Sequence, residues 1–527
     1  MNYRIFFAAM MFGTLPMAAQ ETYENANIAT QDLNGTARYV GMGGALDALG
    51  ADISTIGTNP AGIGLFRRSQ VNTSFGFVSQ GDVSNSSSVN KTNMSFDQIG
   101  FVYSTRTNSR SFLNLAFNYH KSRNFDQILE ASGRLQNASQ NKLSYVKGYN
   151  GLFKLDIDPN TGRLTSNDRT YSMVDYLYYN SLLKPDENGN IYAQEYDRYD
   201  MNRSSNGYIG EYDFNISGNI NNRVYLGFTF GIHDVHYKNY VSYNEYADND
   251  GKMTALRNEQ KITGTGYDFK AGVIIRPVEE SPFRFGFSVA SPIFYDLKSN
   301  NETACASTAG PGLYPTDRND MVSLFETHEF RMNTPWKFGV SLGHTIDNML
   351  AIGVGYEYAD YATIDNRYKD GGYEDWYGDW HETSSSDIVM NADTKANLKG
   401  VHTFKVGAEL KPEPNMAIRL GYNYVSAAYN TDAYRDQSLD TDGVYYSSTT
   451  DYTNWKDTHR ITCGFGYQIG KFNVDLAYQF SSTNGEHYPF MSYYAGANEP
   501  AENDNIADMT KVSNKRHQML LTLGYRF

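Results

Sequence analysis

Phe472-Asn473-Val474-Asp475-Leu476-Ala477-Tyr478-Gln479-Phe480 alternates without interruption. Phe472, Val474, Leu476, Tyr478 and Phe480 share one face, while Asn473, Asp475, Ala477 and Gln479 share the other, which is the period of a β-strand with one greasy and one hydrophilic side. Only Gly470 separates this segment from a similar one at 457–469, whereas residues 483–512 separate it from the next at 513–527. One connection is very short and the other very long.

The same rhythm runs through the chain. Met416, Ile418, Leu420, Tyr422 and Tyr424 alternate with Ala417, Arg419, Gly421 and Asn423, and Leu350, Ile352, Val354, Tyr356 and Tyr358 with Ala351, Gly353, Gly355 and Glu357. Alternating segments fall near 69–79, 95–105, 111–121, 208–218, 223–242, 262–276, 282–295, 325–344, 348–361, 398–410, 415–428, 457–469, 471–482 and 513–527. These predict about fourteen strands, most long enough to cross a bilayer when tilted.

Alternation alone also suits a soluble sandwich, so the connections decide. The short ones are 106–110, 219–222, 277–281, 345–347, 411–414 and Gly470; the long ones are 80–94, 122–207, 243–261, 296–324, 362–397, 429–456 and 483–512. They sort by parity, as in an outer-membrane barrel with tight periplasmic turns and large extracellular loops. The expected fold is therefore all-β, a transmembrane antiparallel β-barrel with its long loops outside the cell.

The bulk numbers agree. Tyr (43) and Gly (46) are abundant among 527 residues, and the mean hydropathy of -0.55 averages a lipid-facing half with a polar lumen and polar loops. A net charge of -14 argues against a nucleic-acid partner. Cys305, in a long loop, and Cys463, on the apolar face of a strand, predict neither a disulfide nor a zinc site.

Residues 1–19 read as a signal peptide: Arg4, an apolar core from Ile5 to Leu15, then Met17-Ala18-Ala19 before Gln20. At the other end Met519, Leu521, Leu523, Tyr525 and the terminal Phe527 share a face, an ending that resembles the one outer-membrane barrels commonly present to their assembly machinery, so Phe527 is the expected insertion signal. Within 122–207, the largest insertion, residues 171–183 (YSMVDYLYYNSLL) suit an amphipathic helix or further strand. The Asp/Asn/Gly clusters at 156–160, 186–190 and 248–251 lack the full spacing of a calcium loop and read as turns.

Residues 20–68 differ in texture, with Gly41-Met42-Gly43-Gly44-Ala45 followed by Asp52-Ile53-Ser54 and Asn59-Pro60-Ala61-Gly62. Such a small-residue segment suits a plug inside the barrel, with residues 69–527 as the wall and loops. On these residues the chain resembles the FadL/TodX family of outer-membrane transport proteins, in a Bacteroidota-type form. The family's hatch carries D-x-S and N-P-A-G, matched here by Asp52, Ser54, Asn59, Pro60, Ala61 and Gly62; Thr334-Pro335-Trp336 is a second, weaker likeness.

The resemblance implies passive uptake of small hydrophobic molecules, namely long-chain fatty acids, aromatic hydrocarbons or haem. It also implies exit through a strand distortion that the sequence does not locate. Candidate ligand-binding residues are Tyr171, Tyr176, Leu177, Tyr178, Tyr179 and Leu183, with Phe490, Tyr493 and Tyr494. The predicted lumen is charged instead, with Asp268, Lys270, Arg284, Lys337, Lys405, Glu409, Arg419 and Asp475 facing inward.

His233 and His236 fall on opposite faces of one strand, and His381, His459 and His487 are isolated, so no haem ligand set emerges. No catalytic grouping, metal site or cofactor is expected. The expected partners are outer-membrane lipids and lipopolysaccharide, the assembly machinery and a small hydrophobic ligand. The rival role is an adaptor subunit of an outer-membrane secretion or barrel-assembly complex, resembling PorV, whose outer loops grip partners.

Overall fold

The computed structural model describes residues 21–86, 88–183, 190–249, 251–308, 322–347, 349–495 and 503–527. The predicted signal peptide and most of the 186–190 cluster lie outside the described residues.

Fourteen antiparallel wall strands close on themselves. They are β1 (Gln70–Gly81), β2 (Thr92–Asn108), β3 (Ser111–Asn124, resuming as Gln127–Ala138), β4 (Tyr196–Ile220), β5 (Val224–Tyr246), β6 (Met253–Ile275) and β7 (Arg284–Ala290, resuming as Phe294–Ser307). The second half comprises β8 (Val322–Asn333, resuming as Lys337–Ile346), β9 (Leu350–Asp360, resuming as Asp365–Glu374), β10 (Gly400–Glu413), β11 (Met416–Val425), β12 (Tyr452–Ile469), β13 (Phe472–Tyr488) and β14 (Thr510–Arg526). Closure pairs β1 with β14 from Gln70↔Arg526 to Gly81↔Lys515, and the Phe527 amide donates to the Ser69 carbonyl at 3.0 Å.

Alternation translates directly into facing. Phe77, Phe101, Leu115, Phe214, Phe228, Phe338, Phe404, Leu420, Leu476 and Met519 are exposed on the outer wall, while Asn114, Asn118, Asp213, Ser217, Thr229 and Thr462 are buried inside. A greasy exterior around a hydrophilic bore requires a bilayer outside, and closure pairs the first strand with the last. Higher on the outer wall three Tyr–His pairs repeat: Tyr356 with His402, Tyr422 with His459 and Tyr478 with His517, each hydroxyl 2.7–2.8 Å from a ring Nδ1. They fit an interfacial girdle. His236 also faces outward there, whereas His233 is fully buried inside.

Several expected boundaries shift. The 122–207 insertion is not one loop, because β3 resumes within it and β4 begins at Tyr196. Likewise β5 and β6 run on together, leaving only 247–252 as their connection. Cys305 lies buried within β7 rather than in a loop, whereas Cys463 is exposed on the wall as expected.

The segments expected as continuous strands at 282–295 and 325–344 are each broken, at Pro292 and Pro335, residues with no amide to donate to the ladder. Thr334 mends that break: its Oγ1 accepts from the Ile293 amide (2.8 Å) and its amide donates to the Ile293 carbonyl (3.1 Å).

Outside the membrane, the long connections fold into a cap. Its helix α4 (Met173–Ser181) follows α3 (Gln140–Tyr149) and starts in a capping box. The Asp175 amide donates to Ser172 Oγ (3.1 Å) while the Ser172 amide donates back to Asp175 Oδ2 (2.8 Å). Between β9 and β10 a hairpin strand, Trp380–Ser386, pairs with Asp365–Glu374 and leads into α5 (Ile388–Asn397).

Candidate functional site: the plugged lumen and the gap in its wall

Residues 21–68 occupy the bore as short turns: α1 (Thr22–Ala29), α2 (Ala37–Gly41) and two 3₁₀ turns, Ile53–Gly57 and Pro60–Leu65. Local chemistry dictates these turns. Asp52 caps the first 3₁₀ turn, accepting from the Ser54 amide at 3.0 Å, and receives the Thr36 hydroxyl at 2.8 and 2.9 Å. Ser54 Oγ accepts from the Thr36 amide at 2.8 Å, so Asp52 and Ser54 together tie α2 to this turn. Asn59 caps the next turn, accepting from the Ala61 amide at 3.2 Å, and Pro60 occupies its first position.

The wall holds this hatch by its backbone. Ser217 donates to the Pro60 carbonyl (2.9 Å), Asn114 to Ile63 (2.8 Å) and Thr229 to Ile56 (3.2 Å). Ion pairs add to this: Arg38 with Glu409 at 3.0 Å, and Asp47 with Lys405 at 3.3 Å. Close approach is permitted by wall glycines. A Cβ at Gly227 would meet Pro60 at 2.3 Å, one at Gly272 would meet Asn59 Oδ1 at 2.1 Å, and one at Gly421 would meet the Gly43 amide at 2.3 Å. These luminal glycines, which alternation alone reads as small fillers, are the hatch's footprint.

Cavities remain on either side. Alongside α1 lies one of about 220 Å³, bordered by Tyr23, Phe125, Tyr429 and Trp455 but also by Arg203 and Arg435. It shares Asp32, Tyr361 and Arg460 with a middle cavity of about 110 Å³ that reaches His120, Glu211 and Lys337. A third, of about 230 Å³, lies toward the short-turn rim between Arg38, Asp52, Arg419 and Asp475. The hatch stands between the middle and the inner cavity. As expected from the sequence, the lumen is charged.

The wall itself is interrupted. The β2–β3 ladder runs from Asn108↔Ser111 up to Gln98↔His120 and stops there. Above it β3 bends at Asn124–Asp126, where Asn124 Oδ1 accepts from the Asp126 amide (2.8 Å), and stays paired only with β4. Side chains alone bridge the gap. Asn93 donates to Asp126 (3.1 Å), Lys121 to Ser95 Oγ (3.1 Å), and the Gln80 amide group binds both backbone polar atoms of Ile128 (2.7 Å each). Met94, Phe96 and Phe77 flank the gap exposed on the outer wall. The chain is a hatch-plugged, fourteen-stranded transmembrane β-barrel.

No protein-family model and no curated protein matches this sequence. Among solved structures the chain is similar to a Pseudomonas aeruginosa FadL homologue (13% identity, TM-score 0.49) and to the Ralstonia pickettii toluene transporter TbuX (10%, 0.47). Each likeness covers 94% of this chain and 99% of the other. It is also similar to the Pseudomonas putida toluene transporter TodX (9%, TM-score 0.46; 95% and 100% covered). Overlap this loose carries no argument about cargo.

The aromatic candidates lie in the long connections. Tyr171, Tyr176, Leu177, Tyr178, Tyr179, Leu183 and Phe490 are brought together, but on one another, as the filled core of the cap. The cavity beside Tyr171 and Tyr176 is only about 20 Å³. Tyr493 accepts from Asn150 Nδ2 at 2.7 Å, and Tyr494 is exposed. As for the histidines weighed for haem, His381 pairs with Asp375 on the exposed hairpin, His459 lies on the outer wall, and His487 is buried beside Thr453.

The sequence reading missed the interior arrangement around Asp32. Arg123, Arg460 and Arg516, from β3, β12 and β14, converge on its carboxylate at 3.1, 3.9 and 3.8 Å. Their alternation marks Arg460 and Arg516 as inward-facing, but nothing local reveals a shared counter-ion.

Proposed function

We infer that the chain is an outer-membrane channel for passive uptake of small hydrophobic molecules, with long-chain fatty acids and aromatic hydrocarbons as the cargo classes. The observation that carries this reading is the gap between β2 and β3. Because the hatch blocks the bore axially and the lower lumen is charged, an apolar solute has no favourable path straight through. The gap borders the cavity system at Asn124 to Gln127, and parting of its side-chain bridges would give the solute the apolar outer wall. The resemblance of the hatch motif to FadL/TodX proteins supports the same route. In this setting the barrel lies among outer-membrane lipids and lipopolysaccharide, inserted by the assembly machinery through the strand ending at Phe527.

Bridging the gap tests this. A double variant, Asn93→Cys with Asp126→Cys, cross-linked by a short bis-maleimide, is assayed for uptake of labelled oleate and toluene by cells lacking competing channels. Uptake should fall to background in the cross-linked pair and persist in each single variant. Undiminished uptake with the gap bridged defeats the lateral route.

One observation favours the rival adaptor role. The hairpin between β9 and α5 raises Tyr373, Trp376, Tyr377 and Trp380 into solvent, Trp376 at 96% exposure. Exposed aromatics grouped at a hairpin tip are the composition of a protein-binding surface. Stoichiometric co-purification of a second outer-membrane protein, lost on deleting 371–383, identifies an adaptor.

A further inference from the structure

Four neighbouring strands place six ionisable side chains at one height on the luminal wall. β3 supplies His120, β4 supplies Glu211 and Asp213, β5 supplies His233, and β6 supplies Asp268 and Lys270. Register explains the grouping. His120 is directly opposite Glu211, and Glu211 is directly opposite His233, so imidazole, carboxylate and imidazole stand in a row across two ladders. Asp213 and Asp268 flank Gly231 in the same way, and a Cβ there would stand 2.2 Å from Asp268 Oδ1. Gly57 of the hatch faces the cluster: a Cβ built on it would stand 3.6–3.9 Å from His120, Glu211 and Asp213.

The cluster carries an imbalance of charge. Three carboxylates face one ammonium, leaving a formal charge of about -2 with both imidazoles neutral, in groups that are almost wholly buried. Of the neighbouring cations, Lys405 pairs with Asp47 and Glu357, while Lys337, which donates to the uncharged Gln31 at 2.5 Å, is shared between Glu357 and this cluster and offsets only part of the excess. Buried charge of one sign needs a partner.

The geometry shows where that partner goes. Lys270 Nζ binds Glu211 Oε1 and, at 2.9 Å, Asp213 Oδ1. The second oxygen of each carboxylate points the other way, toward His120: Glu211 Oε2 is 3.6 Å from its Nε2 and Asp213 Oδ2 is 3.7 Å from its Nδ1. His233 Nδ1 lies 3.8 Å from the same Glu211 Oε2. Asp213 Oδ2 has no hydrogen-bond partner, and the fully buried His233 reaches the cluster from its other side too, its Nε2 lying 3.2 Å from Asp268 Oδ1. His120, Glu211 and Asp213 each offer one ligand atom, all within 4.8 Å of one another.

We propose that this cluster is a divalent transition-metal site, held by His120, Glu211 and Asp213 with His233 completing the set. Mixed imidazole and carboxylate ligation suits zinc and its first-row neighbours. The ion neutralises the residual charge, while Lys270 retains the opposite carboxylate edges. Since His120 and Glu211 also line the middle cavity, the site is reachable from the lumen. Bound metal would join β3, β4 and β5 directly beneath Gly57 and stiffen the wall against which the hatch rests.

The test uses the full-length mature protein, purified in detergent without a polyhistidine tag, stripped with chelator and titrated with zinc by calorimetry. Wild type should take up about one equivalent, and the folded barrel should resist heating in detergent to a higher temperature when loaded. His120→Gln and His233→Gln should each weaken binding about 10-fold or more, while the outward-facing His236→Gln should leave it unchanged. X-ray absorption on loaded wild type, which needs no variant to fold, should show imidazole and carboxylate ligands together. Absence of zinc uptake by wild type, or uptake equal in all three variants, overturns the site.

Discussion

Gly353 on β9 lies directly beneath the Ala45 carbonyl, so closely that a Cβ built on Gly353 would stand 1.9 Å from that oxygen. The wall is thus shaped to the backbone of its plug. Gly353→Val cannot be absorbed by a side-chain rotation, because the atom it meets is backbone. The hatch should detach locally, at a cost of roughly 1–3 kcal/mol or more. The measurable consequence is a higher basal conductance in planar bilayers and greater sensitivity of cells to bulky antibiotics, with barrel assembly retained.

Asp32 gathers three arginines from three strands. Asp32→Asn leaves those cations facing one another without a counter-charge. The groups are partly exposed, which reduces the penalty to roughly 1–3 kcal/mol. The N-terminal segment should become cleavable by protease added from outside, and added salt should restore part of its protection by screening the arginines.

Leu177 is fully buried in the cap core. Leu177→Ala should destabilise the cap by about 2–5 kcal/mol. Hydrogen exchange should then speed up across α3 and α4, while amides of β10 to β14 remain protected, because the wall ladders do not depend on the cap.

Glu245 sits at the outer end of β5, fully buried, accepting from the Gln140 amide (2.7 Å) and the Tyr243 hydroxyl (2.8 Å). Burial pushes its carboxyl up to about 7. The folded cap therefore holds a proton that the unfolded chain releases near pH 4.5, and cap stability falls as pH rises from that value through 7, by at most about 3 kcal/mol. Glu245→Gln should abolish this slope, as read by limited proteolysis of the cap between pH 5 and 8, and should be the more stable protein at pH 8.

How far the residues speak for themselves differs between wall and interior. Strand facing was legible because a bilayer outside and water inside force a two-residue period on every crossing segment. Thus Asp268, Lys270, Glu409, Arg419 and Asp475 could be assigned inward from their neighbours alone. The strand extensions beyond the membrane were less legible. Residues 127–138 and 196–207 form ladder above the bilayer, where no lipid imposes alternation, and so they read as loop. Tyr171 to Leu183 did suggest a helix, and Ser172 with Asp175 caps it; that its aromatics fill a core instead of lining a cavity depends on strands brought from distant positions.

By itself the sequence determined a plugged barrel with its long connections at one rim, since alternation, loop parity and a small-residue amino-terminal segment are all local properties. Only the tertiary structure decided what the interior does. The pause in the β2–β3 ladder, the three arginines on Asp32, and the row of His120, Glu211 and His233 all follow from strand register and bending. Register is set by bulges such as the one between Lys121 and Arg123 and by the closure of the whole ring. Those constraints join residues far apart along the chain, so no single stretch contains them.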